Sequence, residues 1–96
     1  MPTYDFERAF MRDYRKLTQA ERLAFRRAVA LFVQDLIRRE FSPSLRVKRV
    51  GTHPGVWELT WAPDGRATFY RGDELRPGDP HIIWRRVGSH DIFRDP

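Results

Sequence analysis

Apolar residues at Ala9, Phe10, Tyr14 and Leu17 recur at spacings of three and four, the period of one helical face, and predict a first helix from about Glu7 to Leu17. Thr18-Gln19-Ala20-Glu21 then has the form of a capping box. The threonine hydroxyl accepts from the backbone N–H three residues on, and the glutamate reaches back to the threonine N–H. A second helix is therefore expected to start at Gln19 and run to about Glu40. Its buried face is Phe25, Ala28, Val29, Phe32 and Leu36, with Arg22, Arg26, Arg38 and Arg39 mostly off that face. Ser42-Pro43-Ser44 ends it, because proline disfavours a helical residue before it. With almost no linker, the two helices should form a hairpin. Ahead of them, Thr3–Phe6 reads as a short strand or an extended lead-in.

From residue 45 the period changes to two. Leu45-Arg46-Val47-Lys48-Arg49-Val50 alternates apolar and basic, as a half-exposed strand does. Val56–Ala62 and Arg66–Arg71 flank Pro63-Asp64-Gly65, a hairpin signal in which glycine can supply a left-handed backbone. A three-residue loop sets Ala62 opposite Arg66. Glu58, Thr60, Arg66, Thr68 and Tyr70 then share an outward face, and Trp57, Leu59, Trp61, Ala67 and Phe69 an inward one. A loop longer by one residue would mix the two sets. His81–Val87 is the last strand; Trp84 and Val87 cannot both face inward on it without a bulge. The expected fold class is α+β: an N-terminal helical hairpin packed on one face of a twisted, mainly antiparallel sheet of about four strands, with residues 1–96 as a single domain.

Composition narrows the function. The chain has no cysteine, so a disulfide framework and a thiolate metal site are excluded, and a reducing compartment, the cytoplasm, is expected. No long apolar run marks a signal peptide or membrane span. Eighteen Lys and Arg against thirteen Asp and Glu give a net charge of +5, which attracts polyanions or an acidic protein partner.

The candidate chemistry gathers toward the C-terminus. His90 follows a basic strand, titrates near neutrality and can pass a proton. Arginine holds phosphate through a planar fork of donors, and an aromatic such as Phe93 can stack on an unpaired base. Metal-independent RNA cleavage needs a base for the 2′-hydroxyl proton, cations for the phosphorane and an acid for the leaving 5′-oxygen. Glu58 or Asp64 fits the base, Arg66 and Lys48 the cations, and His90 the acid. Plainer roles stand beside these: Asp64 as a turn residue, Arg66 paired with Glu58 across the hairpin, Phe93 tucked on the core. His53 and His81 are assigned to structure. Scattered histidines give no convincing metal site, and no cofactor motif is present.

Several pieces in order carry a resemblance. They are Phe10-x-x-Asp13-Tyr14-Arg15-Lys16-Leu17, then Lys48, then Trp57-Glu58-Leu59 through Pro63-Asp64-Gly65-Arg66, then Arg86-Val87-Gly88-Ser89-His90-Asp91. Together they resemble the RelE/ParE toxin superfamily of bacterial toxin–antitoxin systems. The resemblance implies a small basic α+β toxin that a cognate antitoxin wraps and blocks. The complex would bind operator DNA through the antitoxin. Many members are endoribonucleases that enter the ribosome and cut messenger RNA; the ParE branch instead inhibits DNA gyrase, and a degenerate member would only bind antitoxin. By position, Arg66 matches the arginine that steadies the scissile phosphate and His90 the late acid or base. Asp64 and Phe93 match an aspartate and a terminal aromatic of one subfamily. Lys48 with its neighbours Arg46 and Arg49 matches residues that grip RNA, and Arg86 is a further candidate RNA contact. Thr60 and Arg49 stand where histidine-using relatives often carry further histidines, which leaves the general base open.

Overall fold

The computed structural model describes Met1–Pro96. Its elements are β1 (Thr3–Phe6), α1 (Arg8–Lys16), α2 (Gln19–Arg38), a 3-10 turn (Pro43–Leu45), β2 (Lys48–Arg49), β3 (Trp57–Ala62), β4 (Gly65–Gly72), β5 (His81–Ser89) and a C-terminal 3-10 helix (His90–Arg94). The strands form one mixed sheet in the order β1-β5-β4-β3-β2, five rather than four. The extra strand is β1, which lies parallel to β5, with Thr3 opposite His81 and Phe6 opposite Trp84. The other pairs are antiparallel.

Both halves of the capping box form. The Thr18 hydroxyl accepts from the Glu21 amide at 3.1 Å, and the Glu21 carboxylate accepts from the Thr18 amide at 2.8 Å, fixing the start of α2 at Gln19. The helix ends at Arg38, slightly early, because Arg39 turns left-handed (φ 60°) and Asp35 gathers the chain that follows. The buried Asp35 carboxylate accepts from the Ser42 amide (2.7 Å), the Ser42 hydroxyl (3.0 Å) and Arg38 (2.6 Å). Burial pushes its pKa up, but these bonds, with the Ser42 amide first, hold it below the ordinary 3.8.

Phe25, Ala28, Phe32 and Leu36 of α2 are buried against the sheet, with Val29 packed beside them. Trp84 sits at the centre of this core. Its ring meets Phe25 edge-on at 5.5 Å, Phe32 at 5.7 Å and Phe69 at 5.4 Å. Such tilted aromatic pairs add about 0.5–1.5 kcal/mol each beyond the area they bury. The bulge that Trp84 and Val87 require is present. Thr68 faces Arg86 and Phe69 faces Trp84, so Arg85 is the extra residue and both apolar side chains turn inward.

Two strand expectations are corrected. Residues 45–50 do not form a continuous strand. Leu45 ends a 3-10 turn begun by Pro43, Arg46 is left-handed (φ 48°), and only Lys48–Arg49 pair with β3. In the hairpin, Ala62 faces Gly65 and Thr60 faces Arg66, with the register shift at Trp61. The register thus differs by two residues from the expected one, and an even slip keeps every side chain on its face. Gly65 is not left-handed. Its hydrogen is required because a Cβ there would stand 2.6 Å from the Trp61 ring.

The face away from the helices is partly covered. Ile92 of the C-terminal 3-10 helix lies over Gly88, where a Cβ would meet its Cγ2 at 3.0 Å. Thr68 on that face is fully buried, and its hydroxyl has no hydrogen-bond partner.

Candidate active site

The β4–β5 register builds the site. Gly65 faces Ser89 and Arg66 faces Gly88, so the tip of the β3–β4 hairpin stands beside the end of β5. The turn presents Asp64, and the residue after Ser89 is His90. Ser89 starts the C-terminal 3-10 helix by accepting from the Asp91 amide at 3.2 Å, which holds the backbone where His90 leaves the sheet. His90 Nδ1 and Asp64 Oδ1 are 2.5 Å apart. An ionised Asp64 only accepts, so Nδ1 carries the donated proton and Nε2 is the nitrogen left for a reacting group. Asp91 stands 3.6 Å from Nε2.

Both side chains are exposed, 67% for His90 and 65% for Asp64, so a substrate can reach them and water screens their attraction. The hydrogen bond to Asp64 raises the His90 pKa above 6.5; the charges of Asp64 and Asp91 add to this, and burial and Arg66 oppose it. The Asp64 pKa falls below 3.8, first through the same bond, with a backbone bond from His90 and the charges of His90 and Arg66 assisting against burial. Arg66 is thus near enough for its charge to act on both partners. Near neutral pH the imidazole carries more positive charge than a free one, the state a general acid needs.

Arg66 is half-buried and curls onto its own turn. Nη1 donates to Gly65 O at 2.9 Å and to Ala62 O and Pro63 O at 3.3 Å, leaving Nε and Nη2 for a ligand. Trp61 Nε1 donates to Arg66 O at 2.9 Å and fixes that stretch of backbone.

Of the remaining expected residues, Lys48, Glu58 and Arg86 lie on the same sheet face, whereas Arg49, opposite Trp57, lies on the other. Lys48, Glu58, Thr68 and Arg86 form one cross-strand row, and Thr60, Arg66 and Gly88 the next, nearer the hairpin tip. Glu58 lies one row from Arg66, about 7 Å along the strand, and faces Thr68. The expected Glu58–Arg66 pair does not form: Glu58 Oε1 is instead 3.9 Å from Lys48 Nζ. Arg49 lies over the Trp57 ring at 5.1 Å, and Arg46 is exposed in its left-handed turn. Phe93 is half-buried on the C-terminal helix. Arg86 is committed within the protein. Its Nε and Nη2 grip Asp13 of α1 at 2.6 and 3.2 Å, and Nη1 donates to Asp95 O at 2.9 Å. This hydrogen bond to Asp13 raises the Arg86 pKa. Asp13 also takes the Val87 amide at 3.2 Å, capping the edge of β5 where β1 has ended. Asp13 stood in the sequence pattern without a role, and only its distance from Arg86 along the chain hid that pairing. No three His, Cys, Asp or Glu side chains are grouped so as to hold a metal ion.

No protein-family model matches the chain, and no curated protein matches it in sequence. Its fold matches solved toxin structures. A YoeB/ParE toxin from Agrobacterium tumefaciens superposes with a TM-score of 0.65 at 11% identity, covering 92% of this chain and 98% of that one. The RelB–RelE antitoxin–toxin complex from Methanococcus jannaschii matches with a TM-score of 0.60 at 15% identity over 95% of each chain. The DinJ–YafQ complex from E. coli gives 0.60 at 15% identity over 95% and 96%. The chain therefore has the fold of the RelE/ParE toxins.

Proposed function

We propose that this protein is the toxin of a toxin–antitoxin pair and acts in the cytoplasm as a ribosome-dependent, metal-independent endonuclease of messenger RNA. The observation that carries this reading is the exposed His90–Asp64 pair beside Arg66. Pure binding does not require a histidine held by a carboxylate at an open rim.

In the proposed reaction the RNA 2′-oxygen attacks the adjacent phosphorus and the bond to the 5′-oxygen breaks. His90 gives its Nε2 proton to that leaving oxygen. Asp64 keeps the imidazole in the right tautomer and charged. The free Nε and Nη2 of Arg66 bind the phosphorane oxygens. With Asp64 engaged by His90, Glu58 is the carboxylate on that face assigned to accept the 2′-hydroxyl proton. The products are a 2′,3′-cyclic phosphate and a 5′-hydroxyl. Lys48 and Arg46, with Phe93, extend the RNA contact; Arg49 is assigned to covering Trp57 on the other face of its strand, and Arg86 to holding α1.

The cognate antitoxin is assigned to the apolar groove between β1, α1 and α2, about 430 Å³, whose wall includes Tyr4, Phe6, Met11, Val29 and Val33. Exposed aromatic and aliphatic surface of this kind marks a protein partner. The antitoxin supplies operator-DNA binding for the complex. Induced expression without antitoxin, with transcript ends mapped, tests the reading. Growth arrest with new 5′-hydroxyl ends is expected, lost in both His90→Ala and Arg66→Ala. Arrested replication with intact transcripts would replace the nuclease by a gyrase inhibitor. No growth defect would leave a chain that only binds its antitoxin.

A further inference from the structure

One face of α1 has no place in the site described above. Arg8, Arg12, Arg15 and Lys16 are all exposed on this nine-residue helix. At 100° per residue they fall within one narrow arc, opposite the buried Phe10 and the half-buried Tyr14. The acids that could neutralise the row are used elsewhere: Glu7 faces Arg85 at 3.5 Å and Asp13 is held by Arg86. None of the four cations makes an ion pair.

Arg15 and Lys16, in the last turn, sit where the helix dipole favours cations, but the N-terminal part of the row works against the helix. Like charges at spacings of three and four repel. Arg8 sits in the first turn, where the helix dipole disfavours a cation; that turn has no acidic residue, and Glu7 makes no side-chain cap. Four exposed cations in one row with no carboxylate partner present a surface suited to a ligand of opposite charge. Successive turns lie about 5.4 Å apart, so the row is a repeating cationic track about 12 Å long.

Its direction matters too. The Glu7 amide bonds Trp84 O at the start of α1, and Asp13 reaches Arg86 and Val87 further along. The helix therefore runs alongside β5 toward the end that carries His90. The arc carries no large apolar side chain to seat in a protein partner, whereas a phosphate lattice needs only cations.

We infer that the Arg8–Arg12–Arg15–Lys16 face docks on the phosphate backbone of double-helical RNA, positioning the protein while the His90 end meets the strand to be cut. This deepens the nuclease reading and rests on it for the choice of RNA.

The test measures binding of the full chain, in a His90→Ala background so that no cleavage intervenes, to an RNA hairpin and to small ribosomal subunits across a salt series. Combined Arg8→Gln, Arg12→Gln, Arg15→Gln and Lys16→Gln keeps helix propensity. It is expected to weaken binding at least about tenfold and to flatten the log–log salt slope by about 3, since each lost phosphate contact removes 0.7–0.9. Neutralising Arg39, Arg71, Arg76 and Arg94 together should cost less than half of that slope. If the quadruple variant does not fold, Arg12→Gln alone should lower the slope by about 1. Equal losses in both sets, no binding by the parent, or tighter binding to a DNA duplex or to a polyglutamate peptide would overturn the inference. Binding through α1 by a chain whose unaltered form never cuts RNA would sink the nuclease and keep this surface; cleavage that survives the α1 changes without loss of binding would do the reverse.

Discussion

Two cation–carboxylate pairs sit at one end of the protein, and they do different work. Arg86–Asp13 joins β5 to α1 across 73 residues. It is two-pronged, mostly shielded from water and completed by the Val87 amide and Asp95 O. His90–Asp64 joins the end of β5 to the hairpin tip through one bond in open solvent. The first has all three guanidinium nitrogens engaged within the protein and cannot change charge near neutrality. The second leaves Nε2 free on a group that titrates there. A cation beside a carboxylate is therefore not a site in itself; burial and spare bonding capacity separate the clamp from the proton donor.

Changes at the two pairs should have opposite signatures. His90→Ala is expected to lower RNA cleavage about 10²–10⁴-fold, the usual range for a general acid, with an unfolding midpoint close to the parent's. A large drop in that midpoint would make His90 a second clamp. Asp13→Ala should do the converse. It strands the Arg86 guanidinium and the Val87 amide, costing about 2–4 kcal/mol in urea unfolding, with cleavage per folded molecule retained. Stability within error of the parent would remove the clamp.

Smaller effects sharpen the contrast. Because Asp64 raises the His90 pKa, cleavage driven by His90 should fall as pH rises through a value above 6.5, and Asp64→Asn should move that alkaline limb down toward 6.5. A limb that stays in place in the asparagine variant would detach Asp64 from the imidazole. Linkage agrees in sign. The pair's support for folding is complete below pH 6.5 on the histidine side and disappears as pH rises through the raised pKa. On the aspartate side it holds above 3.8 and is lost as pH falls through the lowered one. Last, Thr68→Val removes a buried hydroxyl without a partner and should be neutral or stabilising by up to about 1–2 kcal/mol in thermal or urea unfolding. A clear loss would show that the hydroxyl has work on that face.

Local chemistry was readable where the responsible residues are neighbours in sequence. Thr18 and Glu21 announce the start of α2, and the spacing of Trp84 and Val87 demands the bulge that Arg85 supplies. The hairpin faces also follow from alternation alone, and survive a register two residues from the expected one. Residues 45–50 misled because an alternating pattern describes which side chains are apolar and not whether a partner strand is present. Pro43 and the left-handed Arg46 leave only two residues paired. At the site, His90, Asp64 and Arg66 stood out by residue type and place, yet the division of labour among the carboxylates did not. Asp64 turns out to hold the histidine and Glu58 lies toward Lys48.

The amino-acid sequence by itself determined the two helices, the faces of the hairpin and the residues able to carry acid and phosphate chemistry, since each follows from periodicity or from the nature of a side chain. The tertiary structure decided the parallel pairing of β1 with β5, the engagement of Arg86 by Asp13 and the meeting of Asp64 with His90. These link positions 26 to 78 residues apart. A repeat along the chain specifies which way a side chain points. Strand order, bulges and the length of each edge specify what it meets.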